Sequence, residues 1–243
     1  MYRERPSGLG GGTVLWTRTT GPAPSPALVL PDGCMDLIWR DGDGDGDGDG
    51  GAGFVVAGPD TRAQEGAGPP GTTWTGLRFT PGTGPAVLGV PARELRDLRV
   101  PLDALWPAAR VRRLAGEVAG ATDRSAALEA VAARAAVPPD PLHAAVARAL
   151  DRGRTVAEVA RTAGLSERQL HRRSLDAFGY GPKMLARILR LQRALARARA
   201  GTPLAEVAAL TGYADQAHLT REARALTGRP VGRLVRPVER PPT

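Results

Sequence analysis

Arg168, His171 and Arg172 stand at i, i+3 and i+4, the spacing that places side chains on one face of a helix. A guanidinium on such a face can reach guanine O6 and N7 together, and each such pair carries roughly 1 to 3 kcal/mol of discrimination against the wrong base. An offset of 49 residues maps these three onto Ala217, Thr220 and Arg221, with Gln216 and His218 close by as further candidates for bases or phosphates. Ser166 stands at the head of the first set. Arg161, Lys183, Arg187 and Arg190 are candidate phosphate contacts, which position a protein on a duplex but read no sequence.

Other residue types that could do chemistry read as structure. Cys34 is the only cysteine, so no intrachain disulfide or thiolate-rich metal centre can be built. Nothing basic flanks it in "PDGCMDL" to hold a thiolate, and it is expected as a packed strand residue. The only histidines, His143, His171 and His218, all follow residue 140, which removes a histidine metal site from the first half. The run "DGDGDGDGDG" at 41 to 50 invites a calcium reading. Counting twelve positions from Asp41, Asp43 or Asp45 reaches Ala52, Phe54 or Val56 instead of the glutamate an EF-hand loop needs, so a solvated hairpin tip is expected. Asp32, Asp36 and Asp60 are expected in turns and loops. No catalytic residue, metal or cofactor is expected.

The elements that must position the arginines are legible from caps and periodicity. Thr155 with Glu158, and Ser166 with Gln169, have the spacing of capping boxes, and Gly164 separates the two helices they open, "VAEVARTA" and "ERQLHRRSLDAF". This is a helix-turn-helix. The grammar recurs: Thr202 as cap with Pro203 at the first helical position, Gly212 in the turn, and Asp215 capping "QAHLTREARALT". Leu170 to Gly179 and Leu219 to Gly228 are both nine residues apart. Between the copies, "PKMLARILRLQRALARARA" predicts one helix of roughly 28 Å, which holds the units apart by about one turn of DNA. On the first recognition helix, Leu170, Ala177 and Phe178 are expected on the core side.

The first half differs in kind. Residues 12 to 90 are broken by Gly and Pro into short β-favouring runs, "TVLWTRTT", "ALVLP", "MDLIW", "FVVAG" and "TWTGLRFT", which predict a mostly antiparallel sheet or small barrel. From Pro91 the period becomes helical, with Val111, Leu114, Ala115 and Val118, then Leu128, Val131, Ala132 and Ala135, as apolar faces that need a partner. "PPD" at 138 to 140 marks a boundary, with Asp140 as N-cap and Pro141 first in the helix. The expected class is α+β: a β-rich domain over 1–90, a helical extension over 91–139, and an all-α domain over 140–243 of two helix-turn-helix units joined by a long helix.

Charge follows the same division. Residues 140–243 carry 19 Arg and Lys against 9 Asp and Glu, net +10, and residues 1–139 carry 14 against 16, net −2, which sum to the chain's +8. Arginine outnumbers lysine 32 to 1, a compositional bias, but a uniform bias cannot make two halves differ. A polyanion partner is expected for the second half. No stretch approaches the roughly 18 apolar residues of a membrane span, and no basic segment followed by an apolar run opens the chain, so no membrane partner and a cytoplasmic location are expected.

The motifs "GLSERQLHRR", "FGYGPKMLARILRLQRAL", "LAEVAALTGYADQAHLTRE" and "TGRPVGRL" resemble the DNA-binding domain of the AraC/XylS family of bacterial transcription regulators over residues 140 to 236. "LPDGCMDLIW", "GPDT", "GLRFTPG" and "VPLDALW" are similar to an uncharacterised β-rich region that precedes such domains in a subset of them. The resemblance implies a sequence-specific regulator of transcription whose partner is double-stranded DNA. RNA polymerase, a small-molecule effector and a second copy of the chain stay open as further partners. It also implies an aromatic residue four after the leucine of each recognition helix, where this chain has Ser174 and Ala223. Two rival readings stay open: an enzyme with an N-terminal catalytic half targeted to DNA, for which no nucleophile arrangement can be proposed, and an architectural protein that binds DNA without sequence preference.

Overall fold

In the computed structural model, which describes residues 1–21, 27–42, 51–66 and 68–235, the alternation of "MDLIWR" sends Met35, Leu37 and Trp39 into the core and Asp36, Ile38 and Arg40 to the opposite face. This strand, β4 (Met35–Arg40), lies inside a sheet with β1 (Tyr2–Pro6), β2 (Val14–Thr19), β5 (Gly53–Ala57), β7 (Thr73–Phe79) and β8 (Arg99–Pro101). The order is β1-β2-β7-β4-β5-β8 and every neighbouring pair is antiparallel. A separate ribbon pairs β3 (Ala27–Val29) with β6 (Gln64–Gly66). Each β-favouring run in the sequence holds a strand. The edge strand β1 and the short β6 and β8 were not foreseen, because "YRERP", "QEG" and "RVP" carry no apolar alternation. The Asp-Gly run joins β4 to β5, which pair as neighbours through Arg40 and Gly53. The calcium question falls on residues 43–50, outside the described residues.

The partner sought by the helical extension is the sheet. Helix α1 (Gly84–Leu88) follows β7; α2 (Ala108–Gly120) buries Val111, Leu114 and Val118; and α3 (Arg124–Ala135) buries Leu128, Val131 and Ala132. These side chains form one apolar cluster with Leu37, Trp39, Leu77 and Phe79 from the sheet. At about 2 kcal/mol for each buried aliphatic side chain, this shared layer is the main force holding the helices on the strands.

The remaining chain is helical: α4 (Pro141–Asp151), α5 (Val156–Thr162), α6 (Glu167–Phe178), α7 (Pro182–Arg199), α8 (Leu204–Thr211), α9 (Gln216–Thr227) and α10 (Val231–Val235). It has two cores. Leu185 and Ile188 of α7 enter the first, with Leu170, Ala177 and Phe178 of α6; Leu191, Ala194 and Leu195 enter the second, with Leu219 and Leu226 of α9. One long helix is thus the shared wall of both units. Thr202 does not cap the second unit: α8 starts at Leu204 with Pro203 in extended conformation before it and no side-chain cap, since proline supplies neither a backbone N–H nor a capping oxygen.

The two halves are stitched at several points. The Ala63 N–H donates to Leu226 O at 2.9 Å, Arg229 pairs with Glu65 at 2.9 Å, and the Gln192 amide donates to Pro31 O at 2.6 Å. Arg93 pairs with Asp176. Gly179, at φ 81°, lies so close to Pro59 that a Cβ would come within 2.5 Å of its ring, and Tyr180 beside it is buried. Apart from Gln192 in α7, these contacts use the C-terminal ends of α6 and α9 and the residues that follow them.

Candidate nucleic-acid interface

The N-terminal end of α6 is built by its cap. Ser166 Oγ accepts the Gln169 N–H while Gln169 Oε1 accepts the Ser166 N–H, so two donors that a helix start leaves unpaired are satisfied locally. Thr155 and Glu158 make the same reciprocal pair at α5. Leu170, Ser174, Ala177 and Phe178 are the buried side of α6. The other side is solvent-facing: Arg168, His171 and Arg172 are exposed, and they line one open concavity with Ser166, Gln169 and Leu175. His171 is braced, because a Cβ on Gly181 would lie 2.6 Å from its ring. Arg168 and Arg172, on the free side of a helix anchored by its leucine and phenylalanine, are the two long cations lining this concavity.

The second strip is chemically different. Asp215 caps α9 by accepting the His218 N–H at 2.6 Å, and Gln216, Ala217 and Arg221 are exposed. Thr220 Oγ donates to Gln216 O at 2.9 Å, which ties its hydroxyl to the helix. His218 is half-buried; its Nδ1 accepts the Ala214 N–H at 3.3 Å and its ring meets Tyr213 edge-on at 5.2 Å, so it shapes the turn. Sequence reasoning missed Arg224, exposed on the same strip. The offset that maps Arg172 onto Arg221 also maps Leu175 onto Arg224, and carrying it one step further finds it.

The cations divide in two. Arg161 and Lys183 are exposed. Arg187 and Arg190, expected at phosphates, instead converge on Glu222 of α9 at 3.4 and 2.8 Å, with Arg190 also over the Tyr213 ring at 4.4 Å and donating to Gly212 O at 3.3 Å. The side chain of Glu222 is only 10% exposed, and a nearly buried carboxylate needs a cation beside it, so these arginines serve the α7–α9 contact. At the two positions where the family resemblance implies aromatic residues, Ser174 and Ala223 are fully enclosed, and Ser174 Oγ has no hydrogen-bond partner.

In the first half, Asp36 is not a turn or loop residue, whereas Asp60 lies as expected in the loop between β5 and β6. Asp36 sits within β4 beside Arg78 at 3.6 Å and accepts the Trp16 indole N–H at 2.7 Å, and burial pushes its carboxyl up to about 6. Asp60 pairs with Arg99 at 2.5 Å. Asp32 does hold a turn, accepting the Cys34 N–H at 2.9 Å. Burial, with Asp32 and Asp36 nearby, raises the Cys34 thiol well above its ordinary value, the opposite of what a nucleophile needs. Among the described residues no group of His, Cys, Asp and Glu could hold a metal ion.

Residues 159–236 match the family model of a helix-turn-helix domain, and residues 13–101 match that of a domain of unknown function (DUF6597). No curated protein sequence matches the chain. Among solved structures the chain is similar to ToxT from Vibrio cholerae. An apo ToxT variant from strain SCE256 aligns with TM-score 0.45 and 9% identity over 92% of this chain and 96% of that one. ToxT from strain O395 bound to (E)-4-(8-methylnaphthalen-1-yl)but-3-enoic acid aligns with TM-score 0.46 and 9% identity over 96% and 98%. Wild-type ToxT bound to an unsaturated fatty acid aligns with TM-score 0.42 and 11% identity over 92% and 94%.

Proposed function

From a chain whose C-terminal region is a helix-turn-helix domain of the AraC type, preceded by a domain of unknown function, we propose a sequence-specific regulator of transcription controlled through its N-terminal half. The DNA-binding role follows from the domain; sequence preference and control are the proposal. The observation that carries it is the pair of exposed strips at the N-terminal ends of α6 and α9, each on a capped helix and both fixed to one helix, α7.

On this reading Arg168 and Arg172 read bases in the first major-groove segment and Arg221 and Arg224 in the second. Ser166 and Gln216 sit at the helix starts nearest the backbone, His171 and His218 shape the strips, and Arg161 and Lys183 contact phosphates. Arg187 and Arg190 hold the second unit in place. Residues 1–90 form the sensory or assembly region, 91–139 the helical extension and 140–243 the DNA-binding domain. The protein acts in the cytoplasm, and RNA polymerase and a second copy of the chain are further partners this role allows.

Selection of preferred sites from random duplexes by the full chain tests the reading. A recurring motif with two segments about one helical turn apart is expected, with log affinity falling linearly as log salt rises. Equal affinity for selected and random duplexes would leave an architectural protein instead.

A further inference from the structure

The two strips offer opposite chemistry at matching positions. The offset of 49 residues sets Ala217 where Arg168 stands and Thr220 where His171 stands. Helix α9 is fixed from behind, with Leu219, Ala223, Leu226 and Thr227 as its buried side. Its other side presents Ala217, Arg221 and Arg224 to solvent, with Thr220 half-buried among them. Ala217 has no polar side-chain atom. Thr220 has one, but its hydroxyl donates to Gln216 O at 2.9 Å and so has no proton left for a base. His218, in the same turn, accepts the Ala214 N–H through Nδ1 and meets Tyr213 edge-on. The middle of this strip is left with two methyl groups to offer, the Ala217 Cβ and the Thr220 Cγ2.

Of the four bases, thymine alone presents a methyl group in the major groove, beside its O4 acceptor; the other edges present N7, O6 and amino groups. A methyl surface set against those polar edges strips water from them and returns no hydrogen bond. Set against thymine, it buries one methyl on another. Ala217 is the second residue of α9 and Thr220 the fifth, within the end of a recognition helix that meets base edges. Positions three apart on a helix carry Cβ atoms about 5 to 6 Å from each other, between one and two base steps of about 3.4 Å. Both methyl groups can therefore meet thymines within two steps of one another.

We propose that Ala217 and Thr220 read thymine by its C5 methyl, so that the segment bound by α9 holds two thymines within two base steps, on either strand, beside the bases assigned to Arg221 and Arg224. The matching positions of α6 carry an exposed guanidinium and a braced imidazole. The two segments of the site are thus unlike in sequence, although the units that bind them repeat the same structure. This assignment rests on the reading of the chain as a sequence-specific regulator.

The test is the affinity of the full-length protein for a selected duplex in which each thymine is replaced in turn by deoxyuridine. Uracil keeps every hydrogen-bonding atom of thymine and lacks only the methyl. Two thymines are expected at which uracil weakens binding roughly fourfold, as for one buried methyl group. In Thr220→Ser, which keeps the hydroxyl and loses the methyl, the difference at one of these thymines should vanish. In Thr220→Val, which keeps a methyl and loses the hydroxyl, it should remain. Ala217→Gly should erase the difference at the other thymine. Should glycine so near the helix start unfold the second unit, affinity falls for every duplex and the two Thr220 variants decide the matter. A series in which uracil costs nothing at any thymine, a cost that survives Thr220→Ser, or one that disappears in Thr220→Val overturns the methyl reading and leaves the regulator reading standing. Equal affinity for selected and random duplexes refutes the regulator reading, and this one with it.

Discussion

On the proposed reading, single side chains divide the labour between the two exposed strips. Arg172 is exposed on a strip whose histidine is braced, so its loss removes one of the two long cations that the proposal assigns to bases in the first unit. Arg172→Ala is expected to cost on the order of 1 to 3 kcal/mol and to relax preference in one half of the site. Arg221→Ala leaves Arg224 on the same strip and should look more like a general loss of affinity; site selection with both variants compares them. Retention of the parental motif by Arg172→Ala together with its loss in Arg221→Ala would invert the ranking. A second residue-scale effect belongs to Asp36. Burial holds its carboxyl at about 6 in the folded protein, above the unfolded value, so the native state binds more protons between those two pH values. Its contribution to stability is therefore present at acid pH and lost as pH rises through about 6, a change of about 3 kcal/mol. Urea unfolding of the parent and of Asp36→Asn, which keeps an acceptor for the Trp16 N–H, should give a stability difference that moves against the parent from about pH 4 to about pH 6 and is flat above pH 7.

At the scale of elements, α7 is a strut. Its first half enters one helical core and its second half the other, and Arg190 adds a charge clamp to α9 through Glu222. Arg190→Ala removes the shorter of the two cation contacts to a nearly buried carboxylate and leaves only Arg187, so it should destabilise the second unit by about 1 to 3 kcal/mol, visible in urea unfolding. Lys183→Ala and Arg161→Ala should leave unfolding nearly unchanged and should each reduce the slope of log affinity against log salt by about one. A full unit of slope lost in Arg190→Ala without loss of stability would return that arginine to the phosphate set.

For the whole molecule, the seam between halves decides which glycines matter. Gly164 and Gly179 both have positive φ, 65° and 81°, and both follow a helix of the first unit. Around Gly164 there is open space, so Gly164→Ala should cost only the left-handed backbone penalty of about 1 to 2 kcal/mol. At Gly179 a Cβ also meets Pro59 at 2.5 Å and Ala92 O at 3.2 Å, so Gly179→Ala should cost more and speed amide exchange across residues 91–98. Equal costs, with exchange unchanged, would show the seam to be slack. Nothing in "FGYGPKM" announces this role, since a glycine after a helix reads the same whether solvent or another domain faces it. The helix-turn-helix units were legible for the opposite reason. Caps, turn glycines and apolar periodicity act over three to seven residues, and they bounded Glu167–Phe178 and Gln216–Thr227 to the residue. The charge contrast and the hairpin joining β4 and β5 are likewise local or additive properties of the chain, whereas Cys34, expected within a strand, stands one residue before β4. Whether Arg190 meets a phosphate or Glu222 and whether Asp36 lies in a turn or under an indole both depend on partners between 20 and 32 residues away. Pairings over such distances are set by the register of the sheet and the packing of helices, which tertiary structure alone decides.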